Sequence, residues 1–234
     1  MQEVIRSKKS NPQLSVFQTF KTKDKELTGE ALRQRGIIIH LANEIIPTRR
    51  TRTAIAHKLA EKNGTTWQNI YSGIFRDLDE ILVPLGIVEE AGRLPIKRGP
   101  KALQEEGVPY YQLTEGGLLV AASIEEMEND RQKIMEQFFE KNSNLKDKDF
   151  KKSIQLLLNV APIFVASLLR KYVEAFSVGK INRLVPFDAN NIRNAVDESI
   201  IIQRELLEGF STLSTADRDP IISFLKSICE PDKH

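Results

Sequence analysis

The sequence predicts a mainly α-helical protein with a single two-stranded sheet, and three observations predict it. Apolar residues recur at helical spacing through most of the chain. Two short strand-like runs, Ile87 to Glu90 and Tyr110 to Thr114, follow the Pro84-Leu85-Gly86 turn. Beyond Thr114 every periodic segment is helical. With 234 residues, 41% hydrophobic and 28% charged, the composition is that of a globular chain of one or two domains and argues against disordered, collagen-like or membrane-embedded classes.

Residues 1–30 are polar, Lys-rich and weakly periodic, with Asn11-Pro12 and Thr28-Gly29 as breakers, and read as a flexible arm. A first helix is expected over Ala31 to Glu44, with Leu32, Gly36, Ile37, Ile39, His40 and Leu41 inward, although Ile37 to Ile39 alone also fits a strand. Pro47 stops it. Ile55, Ala56, Leu59 and Ala60 mark a second helix from Thr51 to the Asn63-Gly64 stop. Thr65 as N-cap with Gln68 three residues later then launches a third helix, reaching about Val83. At about 100° per residue, Trp67, Ile70, Ile74, Leu78, Ile81 and Leu82 fill one apolar arc. Gln68, Asn69, Ser72, Gly73 and Arg76 lie on or near the opposite face in the first half of this helix, while Asp79 and Glu80 occupy it further on.

A long loop holding Lys97, Arg98 and Lys101 joins the two strands. Helix, helix, capped helix, strand, basic loop and strand is the order of a winged helix-turn-helix domain, placed here over 31–123. The strings YSGIFRDLDEILVPLGIVEE and PYYQLTEGG carry a resemblance across about residues 35–123. They resemble winged-helix transcriptional regulators of the broad MarR and PadR type, in which a Tyr-x-Leu-Thr-x-x-Gly string ends the second wing strand and opens the next helix. Tyr111, Leu113, Thr114 and Gly117 match that string, while the wing loop is longer than the usual short hairpin.

From Leu118 to about Lys141 one long helix is expected, with Ile124, Met127, Ile134 and Phe138 at near-heptad spacing. That stripe suits either a seam between subunits or packing within the chain. Residues 124–145 are read as connecting helix and linker, and 146–234 as an all-α C-terminal domain for dimerisation or sensing. Its helices are expected from Asp147 with a kink or break at Pro162, from Ala189 to Gly209 and from Ala216 to Cys229. Apolar residues including Leu156, Leu157, Ile163, Phe164, Leu168, Tyr172 and Phe176 imply a core, an oligomer interface or a small-molecule pocket.

The net charge of +2 implies no polyanionic partner by itself. Residues 31–64, however, carry seven basic side chains (Arg33, Arg35, Arg49, Arg50, Arg52, Lys58, Lys62) against Glu44 and Glu61. The chemistry expected is double-stranded DNA reading: Gln68, Asn69, Ser72 and Arg76 toward base edges in a major groove, and Arg49, Arg50, Arg52, Lys97, Arg98 and Lys101 toward phosphates. A homodimer is expected, since a pseudo-palindromic site needs two such helices. A small-molecule effector is compatible but unsupported. His40 and His57 stand apart, Cys229 is the single cysteine, and no phosphate-binding glycine loop or nucleophile elbow occurs. No enzyme, metal site or cofactor is therefore expected. Without a secretory run at the amino terminus or a membrane span, a cytoplasmic protein is expected. The alternative function is a winged-helix module that binds an acidic protein without reading DNA sequence.

Overall fold

The computed structural model describes residues 12–23, 25–95, 107–142 and 148–229; it is 68% helical, with one two-stranded antiparallel sheet. Helix α1 spans Gly29–Asn43. The Thr28 side chain accepts a hydrogen bond from the Ala31 amide at 3.2 Å, so Thr28-Gly29 opens the helix instead of breaking the chain. Ile37, Ile38 and Leu41 are buried, whereas Leu32 is 54% exposed and turns outward, contrary to the expected face. Of the expected arm, residues 1–11 lie outside the described residues, and the part nearer α1 is packed: Leu14 and Val16 are buried, and the Ser15 amide donates to Gln34 Oε1 at 2.8 Å. Arg35, itself buried, donates to the Val16 carbonyl at 2.6 Å and pairs with Glu126 at 3.0 Å. A buried cation needs such partners, and their supply fixes that segment against α1.

Helix α2 spans Arg52–Lys62, capped by Thr51, and buries Ile55, Ala56, Leu59 and Ala60. Helix α3 spans Trp67–Arg76 and runs on through a π-helical turn, Asp77–Leu82. Its N-cap is Thr66, which makes no side-chain cap bond, and Thr65 instead accepts from Asn69 Nδ2 at 3.4 Å, so the expected capping box is not formed. Ile74, Leu78 and Leu82 are fully buried; Trp67, Ile70 and Ile81 are half-buried. Strands β1 (Val88–Leu94) and β2 (Val108–Leu113) pair antiparallel with Val88 opposite Leu113, and a bulge lies between Glu90 and Gly92. The Tyr111 amide donates to the Arg50 carbonyl at 3.1 Å, tying the hairpin to the chain that leads into α2.

Helix α4 (Glu115–Ser123) is buried from Gly116 to Ser123 and packs on α1. It does not continue to Lys141. Ile124 is extended, residues 125–130 form 3-10 turns, and α5 begins at Arg131 and ends at Lys141. Arg131, buried at the break, donates to the Ala122 carbonyl at 2.8 Å, satisfying an acceptor of the ended helix. Ile124, Met127, Ile134 and Phe138 are 0–3% exposed, so this stripe is consumed within the chain and is not a seam between subunits.

Helix α6 (Lys148–Val160) stops before Pro162, which opens α7 (Pro162–Ser177). Helix α7 packs on α4 and α6 on α5. The short α8 spans Ala189–Ala195. Phe138, Phe150 and Tyr172 each set a ring edge-on to Phe187, at centroid distances of 6.0, 5.4 and 5.1 Å, and the Tyr172 hydroxyl donates to the Leu184 carbonyl. The chain forms two units, 1–195 and 196–234, so residues 148–195, expected from the sequence to belong to a domain starting at 146, lie in the first unit. The second unit holds α9 (Glu198–Thr212) and α10 (Thr215–Cys229). The helix expected from Ala189 to Gly209 is divided because Asp197 caps α9 by accepting from the Ser199 amide. Among the described residues no helix is long and apolar enough to cross a membrane.

Candidate nucleic-acid interface

Gln68, Asn69, Ser72 and Arg76 occupy successive turns of α3, and all four are exposed. The same helix buries Ile74 and Leu78 on the opposite side, so packing on α1 and α2 fixes which face looks outward. Phe75, 44% exposed, borders this face. Trp67 is not a free stacking platform: its ring lies 4.9 Å from His57 and 5.6 Å from Tyr71.

Three acidic residues follow the face: Asp77 and Asp79 are paired with arginines, and Glu80 is exposed. Asp77 is fully buried and accepts from Arg33 Nε at 2.8 Å. Burial pushes its carboxyl above the ordinary value, against the opposing pull of Arg33. Asp79 accepts from Arg52 Nη2 at 2.6 Å. It therefore does not form the i,i+3 pair with Arg76 that sequence spacing allows. Arg76 instead lies 3.7 Å from Glu30 and 3.8 Å from Asp77, with its side chain 51% exposed.

Gly73, placed by helical spacing on or near the outward face, faces α1. A Cβ there would meet Arg33 Nε at 2.8 Å, so the glycine is the gap through which Arg33 reaches Asp77. This pair was not among the expected site residues. The one trace of it in the sequence is a carboxylate at the margin of the α3 apolar arc, about 20° beyond Ile70.

The three arginines before α2 separate into different environments. Arg49 is 66% exposed and sits 3.6 Å from Glu44. Arg50 turns inward, donating to the Glu44 carbonyl at 2.5 Å and to the Leu41 carbonyl at 3.3 Å, and burial lowers its pKa. Arg52, besides its bond to Asp79, lies over the rings of Phe75 at 4.8 Å and Tyr111 at 5.4 Å. The Tyr111 hydroxyl is pushed up to about 12 by burial. Arg50 and Arg52 thus hold α1, α3 and the hairpin in place, and any phosphate contact competes with these bonds. Lys97, Arg98 and Lys101 lie outside the described residues.

Among the described residues no group of three His, Cys, Asp or Glu side chains is placed to hold a metal ion. His40 Nε2 is 2.8 Å from the Arg49 carbonyl, which accounts for that ring. No family model, curated protein or solved structure matches the chain.

Proposed function

We propose that the chain is a sequence-specific double-stranded DNA-binding regulator of transcription, with a winged helix-turn-helix domain over residues 31–123. In this reading α3 enters the major groove, the β1–β2 hairpin is the wing, and the protein works as a cytoplasmic homodimer without catalysis. One observation carries it: α3 presents Gln68, Asn69, Ser72 and Arg76 together on an exposed face, and of the acidic residues that follow, Asp77 and Asp79 are tied to Arg33 and Arg52 while Glu80 stays exposed. Arginine pairs bidentately with guanine, and asparagine or glutamine with adenine, so the face carries donors and acceptors suited to base edges. Arg49 supplies a phosphate contact beside it, with Lys97, Arg98 and Lys101 assigned to the wing.

A protein-binding role for the same module is favoured by the exposure of Ile45 at 81% and Ile46 at 41%, next to the end of α1. Selection of bound duplexes from a random pool separates the two readings. The DNA-reading function predicts an enriched motif, and Arg76→Ala is expected to flatten one position of it while costing about 1 to 3 kcal/mol on the preferred site. A pool that returns no motif overturns sequence reading.

A further inference from the structure

Arg76 is held differently from Arg33 and Arg52, the arginines paired with the two aspartates that follow it. Arg33 and Arg52 each spend a donor on a carboxylate, at 2.8 and 2.6 Å. Arg76 Nη2 lies 3.7 Å from Glu30 Oε2 and 3.8 Å from Asp77 Oδ1, both beyond hydrogen-bond reach. Two carboxylates therefore hold its guanidinium by charge and consume none of its N–H donors, on a side chain that is half exposed.

Glu30, in the first turn of α1, is fixed by its other oxygen. Oε1 accepts from Gln34 Nε2 at 3.2 Å and from the Ser15 hydroxyl at 3.3 Å, which leaves Oε2 for Arg76. Asp77 is divided in the same way: Oδ2 takes the Arg33 bond, while Oδ1, buried and without a hydrogen-bond partner among the described residues, faces Arg76. Glu30, Arg33, Arg76 and Asp77 thus bring two carboxylates and two guanidinium groups together, and their charges cancel.

A guanidinium grips a phosphate and a guanine edge with the same fork of donors. What separates the two ligands is charge: phosphate is an anion, whereas guanine O6 and N7 are uncharged acceptors. Carboxylates behind the guanidinium repel the first and leave the second attractive. The geometry points to Glu30 as a positioning residue that makes Arg76 a reader of uncharged base edges and turns it away from phosphate. This inference rests on the DNA reading above and adds the residue that decides what Arg76 accepts.

Fluorescence-anisotropy titrations of the full chain at several salt concentrations test it, on the motif that wild type selects from a random pool and on an unrelated duplex. Glu30→Gln keeps the oxygen that Ser15 and Gln34 use and removes the charge. It is expected to bind the unrelated duplex about two- to fivefold more tightly, with a salt slope steeper by about 0.9, and to change little on the motif, so that the preference narrows. Ser15→Ala, which loosens Glu30 without removing its charge, is expected to leave the slope as it is. In an Arg76→Ala background, Glu30→Gln is expected to leave the slope unchanged. An equal steepening in that background overturns the inference, because the charge would then act without Arg76. A wild type that selects no motif overturns the DNA reading and this inference with it. A wild type that selects one, while Glu30→Gln keeps the same preference and slope, overturns this inference alone.

Discussion

At the scale of single residues, the ion pair of Arg33 and Asp77 decides how α3 sits on α1. Asp77 is fully buried and Arg33 only a quarter exposed, so removing the cation strands a carboxylate. Arg33→Met is expected to cost about 2 to 3 kcal/mol, somewhat under the roughly 3 to 5 of a wholly buried pair. The pH dependence follows from the raised carboxyl of Asp77. A folded-state value above the unfolded one favours the fold fully below the unfolded value of 3.8, an advantage lost as pH rises through the folded value. Removing Arg33 raises the folded value further. The deficit of Arg33→Met relative to wild type should therefore be smallest in acid and grow toward neutrality, as urea titrations across pH will read; a constant deficit would exclude the pair as its source. The arginines before α2 make a second contrast. Arg49→Ala should reduce the salt slope of DNA binding by about 0.9 and leave Tm alone. Arg52→Ala should lower Tm, because Arg52 bonds Asp79 and covers two rings.

At the scale of elements, the passage from β2 into α4 explains why the Leu113-Thr114-Glu115-Gly116-Gly117 string has its form. The Thr114 hydroxyl donates to the Gly86 carbonyl at 2.5 Å, and its oxygen accepts from the Gly117 amide at 3.0 Å. One side chain thus caps α4 and holds the turn before β1. A Cβ on Gly117 would overlap the Ile87 carbonyl oxygen, a backbone atom that cannot step aside. On Gly116 it would meet the Gly86 carbonyl oxygen at 3.4 Å, an ordinary contact. Gly117→Ala is expected to destabilise by about 3 kcal/mol or more and Gly116→Ala by less than about 1. Thermal or chemical denaturation of the two variants measures the difference, and equal losses would show that close approach is not the reason for the glycine.

At the scale of the whole molecule, the first unit is organised around α4, which is buried along nearly its whole length among α1, α5 and α7. Its amides should exchange with solvent only through global unfolding, the slowest in the chain by mass-spectrometric hydrogen exchange. Ile134→Asp or Phe138→Asp places a charge where side chains are 3% and 0% exposed. Each is expected to unfold the first unit, with a loss above about 4 kcal/mol, and not to release folded monomers. Native circular dichroism with a halved mass would instead return the subunit seam to α5.

By itself the sequence determined a mainly helical chain with one hairpin, the identity of α2 and α3, the break at Pro162 and the outward face of α3. These depend on local periodicity, proline geometry and turn chemistry, which neighbouring residues set. Tertiary structure alone decided the rest. A stripe at near-heptad spacing cannot say whose helix it faces, and Met127, Ile134 and Phe138 face their own chain. The direction of a cation is equally invisible in sequence: Arg49, Arg50 and Arg52 differ by one or two positions, yet two of them are drawn inward by carbonyls, a carboxylate and rings from distant elements. Leu14 and Val16 lie in a stretch that reads as a polar arm because its apolar residues are only weakly periodic, and the surfaces of α1 and α7 give that stretch something to pack against.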